Sequence, residues 1–197
     1  MSSGDGQLLA LSSGSAAETR TFGTYRRWLA DVVDTRHSAS LAGADVVWVP
    51  EGTPRARLAA LTPALDMVLA RGGAVLLFGD HQAGWPVHAR WTFRPAGGAG
   101  RSVIGAAWRD TELGAAAAAL HHHGVLEPPS GAEVLLAAPD GAAVAYLDRA
   151  STAGTAFVST IDPLAHFGHT GAVDAARFLD ALIPWATTAL SRRRYRP

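Results

Sequence analysis

The 197-residue chain has no cysteine, no lysine and no asparagine. Each absence removes a class of chemistry. Without thiols there is no cysteine nucleophile, no thiolate zinc site and no disulfide. Without lysine there is no Schiff base and no phosphate-loop lysine, and without asparagine no Asn amide in an oxyanion hole. An excess charge of either sign is missing too. Seventeen arginines face 17 acidic residues, so nothing in the net charge attracts nucleic acid or an anionic membrane, and neither partner is expected. The one basic concentration, Arg192-Arg193-Arg194-Tyr195-Arg196, reads as a solvated end of the chain. No apolar run approaches eighteen residues, and Met-Ser-Ser-Gly-Asp-Gly at the start has neither the basic nor the apolar region of a leader. The expected location is the cytoplasm.

What is present is 48% hydrophobic and suits a single domain, residues 1–197. A short apolar strand at residues 7–11 is followed by the small polar turn Ser12-Ser13-Gly14-Ser15. From Glu18, the spacing of Phe22, Tyr25, Trp28, Leu29, Val32 and Val33 predicts one amphipathic helix, with a short strand after it near residues 35–38. Residues 44–50 are β-branched without alternation, as in a parallel strand covered on both faces. Thr53 and Pro54 then predict an N-cap and first helical position, with the helix broken or kinked at Pro63 and stopped at Gly72-Gly73. Residues 74–78 form the next strand. Residues 82–131, rich in Gly, Pro and Trp, read as an irregular insertion or lid holding one Ala-rich helix near 111–120. Strands at 133–137, 142–147 and 155–161 precede a closing helix from about 171 to 190, bent at Pro184. This order predicts an α/β three-layer sandwich around a mostly parallel sheet, flavodoxin-like in architecture.

Ligands of such sheets bind beyond the carboxyl ends of the strands. The polar residues there are Ser12, Ser13 and Ser15, Glu51, Asp80 and His81, and Asp162 with His166. Three segments carry a family resemblance: Ala44-Asp-Val-Val-Trp-Val-Pro-Glu-Gly52, Arg71-Gly-Gly-Ala-Val-Leu-Leu-Phe-Gly-Asp-His81, and Gly154-Thr-Ala-Phe-Val-Ser-Thr-Ile-Asp-Pro-Leu-Ala-His166. In order and spacing they resemble the class I glutamine amidotransferase-like superfamily, and its ThuA-like branch more than the amidotransferases. The resemblance implies a strand-to-helix elbow at Asp80 and His81, where amidotransferases carry their cysteine, and a catalytic-type histidine at His166. With no cysteine, and Phe167-Gly168-His169 where a glutamate would follow, glutamine hydrolysis through a thioester is excluded.

The chemistry left is that of His and carboxylates. His81 is the candidate base, Asp80 and Asp162 would orient it, and His166 is a second base or ligand. The bland alternative makes Asp162-Pro163 a turn and His166 a packing residue. Ser13, Glu51, Trp85, His122 and His123 are candidate substrate contacts; Trp91 could line the same pocket as Trp85, with core or lid packing the alternative for both. The triad His121-His122-His123 before Gly124 also fits the end of the Ala-rich helix, where imidazolium suits the dipole. No cofactor is the first expectation. A divalent metal such as zinc held by His166 and His169 is the next, with Asp162 and either His81 or Asp80 as further ligands. FMN is the last, because Ser12-Ser-Gly-Ser-Ala-Ala-Glu18 resembles a flavodoxin phosphate loop. The favoured function is hydrolysis of a polar or carbohydrate-derived small molecule. A non-catalytic binding or assembly domain, with a homodimer as its expected partner state, is the competing one.

Overall fold

The computed structural model describes residues 7–36, 41–79, 90–94 and 102–190. Along the chain run β1 (Leu8–Ser12), α1 (Ala16–Thr24), β2 (Leu29–Asp34), β3 (Val46–Val49), α2 (Arg55–Ala70) and β4 (Ala74–Phe78). Then follow β5 (Arg90–Phe93), β6 (Val103–Ile104), α3 (Glu112–Ala119), β7 (Gly124–Glu127), β8 (Glu133–Ala137) and β9 (Ala143–Asp148). The last elements are β10 (Thr155–Ser159), α4 (Pro163–Thr170) and α5 (Val173–Trp185), which continues into a π-helical turn at Ala186–Leu190 just after Pro184.

The fold is α/β, around one mixed sheet. Strands β2-β1-β3-β4-β10 pair in parallel, and β9, β7 and β5 continue the sheet antiparallel, with β8 and β6 branching from β9. The expectation of a mostly parallel sheet therefore needs correcting, since β5, β6, β7, β8 and β9 pair only antiparallel. Side chains alternate across the central strands. Val46, Trp48, Leu76 and Phe78 join Phe22 of α1, Leu164 of α4 and Phe178 of α5 in one cluster, while Val47, Val49, Val75 and Leu77 join Leu58, Leu65 and Leu69 of α2 in another. Apolar contacts on both sides explain why these strands read as unbroken apolar runs. Gly154 and Gly73 allow the approach to β4 and β10: a Cβ on Gly154 would lie 2.3 Å from the Gly73 carbonyl oxygen.

Three expectations fail locally. The helix predicted from Glu18 through Val33 ends at Thr24, and residues 29–34 form edge strand β2; of the strand expected near 35–38, Thr35 and Arg36 are a turn, and the rest lies outside the described residues. β-Branched Val32 and Val33, pairing with Ala10 and Leu11, outweigh the helical spacing. Thr53 does not cap α2, because its hydroxyl donates to the Pro50 carbonyl at 2.7 Å, and the helix then runs past Pro63 to Ala70 without a break. Residues 82–131 are not simply an irregular lid, for their described part supplies β5, β6, α3 and β7 to the sheet and its cover.

Candidate functional site

Parallel strands bring their carboxyl ends to one edge, and three chain reversals meet there: Glu51-Gly52 after β3, Gly79 after β4 and Asp162 after β10. They line a cavity of about 220 Å3 together with His123. Gly79 has a φ of 95°, a left-handed conformation that favours glycine.

The histidines arrive by an extended crossing. Beyond α3, His122 forms an isolated bridge with Ile161, and the His123 N–H donates to the Thr160 carbonyl at 3.2 Å. Extended backbone sends alternate side chains to opposite sides. His121 and His123 therefore share the side that meets Asp162, while His122 is buried away from it.

The fourth group stands on α4. Asp162 is its N-cap residue, Pro163 its first helical position, and His166 lies one turn on from Asp162. An N-cap aspartate ordinarily accepts an N–H of the first turn, yet the Asp162 side chain makes no such bond. The Ala165 N–H instead donates to Glu51 Oε1 at 2.6 Å. Glu51 as a residue is only partly covered, but its Oε2 is buried and has no hydrogen-bond partner. Burial pushes its carboxyl up to about 8, against the lowering effect of the Ala165 N–H and with a smaller upward contribution from Asp162.

Four side chains converge closely. His121 Nε2 lies 2.9 Å from His123 Nε2 and 3.2 Å from His166 Nε2. Asp162 Oδ2 is 3.0 Å from His123 Nε2, and Oδ1 is 3.0 Å from His166 Nε2 and 3.8 Å from His121 Nε2. Despite that proximity the buried Oδ1 has no hydrogen-bond partner. One ligand atom from each of the four lies within 4.8 Å of all the others, a group that could hold a metal ion. Burial, opposed by Asp162, lowers the His121 pKa and favours the neutral ring that a metal ligand must be. The same cause, reinforced by the neighbouring imidazoles, lowers that of His122.

Of the residues singled out from sequence, Asp162, His166, His123 and Glu51 come together here. Asp80, His81 and Trp85 lie outside the described residues. His169, in the last turn of α4, is exposed and stands outside the cluster, so His166 and His169 do not form the expected ligand pair: His169 lies about two turns, roughly 10 Å, along the helix axis from Asp162. His122 is not a cavity residue, for the alternation just described, and Trp91 packs partly buried against the core. Ser13 is engaged elsewhere. Its hydroxyl donates to Glu18 Oε1 at 2.9 Å, while the Ser13, Gly14 and Ser15 N–H groups donate to Glu18 Oε2 at 2.8, 2.9 and 3.0 Å. The loop that resembles a flavodoxin phosphate loop thus has its donors on a carboxylate of its own chain, which opposes FMN binding there. His121 was missed as a site residue. Its alternation with His123 was visible, but the pairing of this segment with Ile161 was not.

No family model and no curated protein matches this chain. Among solved structures, it is similar in fold to part of the exo-β-1,4-mannosidase Op5Man5 from Opitutaceae bacterium strain TAV5, with a TM-score of 0.56 and 13% identity. The match covers 93% of this chain and 36% of that one, so the chain spans about a third of the length of its neighbour. Among the described residues, no helix is long and apolar enough to cross a membrane.

Proposed function

We propose that this chain is a cysteine-independent, metal-assisted hydrolase of a polar, carbohydrate-derived small molecule, on a three-layer, flavodoxin-like scaffold of the class I glutamine amidotransferase-like kind, ThuA-like in branch, and acting in the cytoplasm. The observation that carries the reading is the convergence of His121, His123, Asp162 and His166 beside a cavity at the carboxyl edge of the sheet.

The spacing supports a metal. Two ligands bonded at 2.0–2.1 Å stand about 2.9 Å apart at a right angle and about 3.4 Å apart at the tetrahedral angle. The contacts of 2.9, 3.0, 3.0 and 3.2 Å fall in that interval, while His121 Nε2 and Asp162 Oδ1 stand wider apart, at 3.8 Å. A catalytic site needs a position open to water or substrate, and the cluster borders the cavity through His123 and Asp162. Three imidazoles and one carboxylate suit a first-row transition ion, zinc above all, better than magnesium or calcium. An ion there would acidify a coordinated water and polarise a substrate oxygen. His123 and Asp162, which belong to both cluster and cavity, set where substrate meets it. His81, the proposed base, and Asp80, its orienting group, follow Gly79 directly in sequence.

The mannosidase likeness supplies the first substrates to assay. Purified protein should be stripped with a chelator, reloaded with Zn2+, Co2+ or Mn2+, and given chromogenic glycosides and acylated sugars. The reading expects turnover that vanishes on stripping and returns on reloading. Turnover indifferent to stripping would overturn it.

A further inference from the structure

We propose that Glu51 is a positioning residue of the metal centre: by capping α4 from a distant strand, it relieves Asp162 of the capping role and leaves that carboxylate to the histidines. This rests on the metal reading above. Aspartate is among the strongest N-cap residues because its side chain satisfies an N–H that the helix cannot. Asp162 occupies that position on α4, before an N1 proline, and does not use it. The Ala165 N–H it would accept goes to Glu51 Oε1 at 2.6 Å, from a residue 114 positions earlier in the chain. Asp162 Oδ1 and Oδ2 point instead to His166 and His123, each at 3.0 Å.

Without Glu51, the Ala165 N–H would lose its partner in a half-buried setting, and the usual acceptor for an N–H of the first turn is the N-cap side chain, here Asp162. Turning to cap its own helix would withdraw that carboxylate from the imidazoles. It would also disturb the seat of His166, which is carried on the same turn. Glu51 is thus placed to couple the end of β3 to the ligand geometry of α4 without being in the group of four ligands. Loss of an outer partner of this kind typically weakens metal affinity by about 10–100-fold.

The experiment compares Glu51→Ala and Glu51→Gln with the full-length parent. Affinity for Co2+ and Zn2+ is measured by chelator competition, and the visible absorption of the Co2+ form reports ligand geometry. The amide of Glu51→Gln still accepts through its oxygen, so this variant should bind within about 3-fold of the parent with the same spectrum. Glu51→Ala should bind about 10–100-fold more weakly, with a shifted spectrum. His169→Gln, on α4 but outside the cluster, should match the parent. If Glu51→Ala binds as the parent does, the positioning role is wrong while the metal reading stands. If Glu51→Ala does not fold, Glu51→Gln still decides: metal loss as severe as in His166→Ala would mean that Glu51 acts by its charge and not as a cap. A parent that takes up neither metal overturns both readings together.

Discussion

A methyl group on Gly79 would lie 2.6 Å from the Cβ of Glu51 and 2.9 Å from its Cα. Glycine at the end of β4 therefore gives Glu51 the space from which it reaches α4. Its φ of 95° would independently strain any other residue. Gly79→Ala is expected to cost about 2–4 kcal/mol in a denaturant titration, from backbone strain and overlap together. It should also weaken metal binding, although Gly79 offers no ligand. Unchanged affinity in a folded Gly79→Ala protein would separate the seat of Glu51 from the cluster.

Neighbouring histidines should behave oppositely. His123→Ala removes a group at the cavity and should lower metal affinity by more than about 100-fold, beyond the loss of an outer partner, with little change in stability. His122→Ala removes a buried ring on the other side of the same extended segment. It should cost about 1–3 kcal/mol and leave affinity within about 3-fold. Equilibrium unfolding and chelator competition on both variants check the pair. Equal loss of metal in both would contradict the alternation.

Much of the scaffold was legible in the sequence. The unbroken apolar runs of β3, β4 and β10 have cover on both faces, so their identity depended on no distant partner. Residues 29–34 were misread because Leu29, Val32 and Val33 prolong the helical spacing of α1, and only pairing with β1 decides for strand. α4 was missed, although Asp162-Pro163 is a start signal, since eight residues holding Gly168 give little periodicity. Gly168 is there for contact: a Cβ on it would lie 2.5 Å from the Ala17 Cα of α1. At the site, Asp162 and His166 could be marked from their place after a strand, whereas the joining of His121 and His123 to them rests on the bridge to Ile161, which no local pattern announces.

Glu18 closes the serine loop after β1 through a reciprocal capping box with Ser15. Glu18→Ala should strip the Ser13 and Ser15 N–H groups of their acceptor, leave the Gly14 N–H only the Ser12 hydroxyl, and lower stability by about 2–4 kcal/mol, as expected for several bonds to one buried carboxylate. In the parent, added FMN should neither raise the melting temperature nor remain with the protein on a desalting column. Stoichiometric retention of flavin would restore the phosphate-loop reading.

Alkaline pH should destabilise the fold through two tyrosines. Burial, then Asp180, raises the Tyr25 hydroxyl above its usual value, and burial, then Asp148, does the same for Tyr146. The unfolded chain releases these protons near pH 10 while the folded chain keeps them. Above that pH the folded state binds more protons, so stability is intact below about pH 10 and falls as pH rises further. Tyr25→Phe should flatten part of this slope, read from unfolding midpoints between about pH 9 and 11. An identical slope would remove Tyr25 from the account.

The most direct test of the central claim is the metal content of the parent chain, purified without chelator and measured by elemental analysis alongside a His121, His123, Asp162 and His166 quadruple alanine variant. The account predicts about one equivalent of a transition metal in the parent after incubation with Zn2+ and desalting, with a melting temperature that falls on chelation and recovers on reloading, and essentially none in the variant. A parent that retains no metal and shows no thermal shift with excess Zn2+ would contradict it.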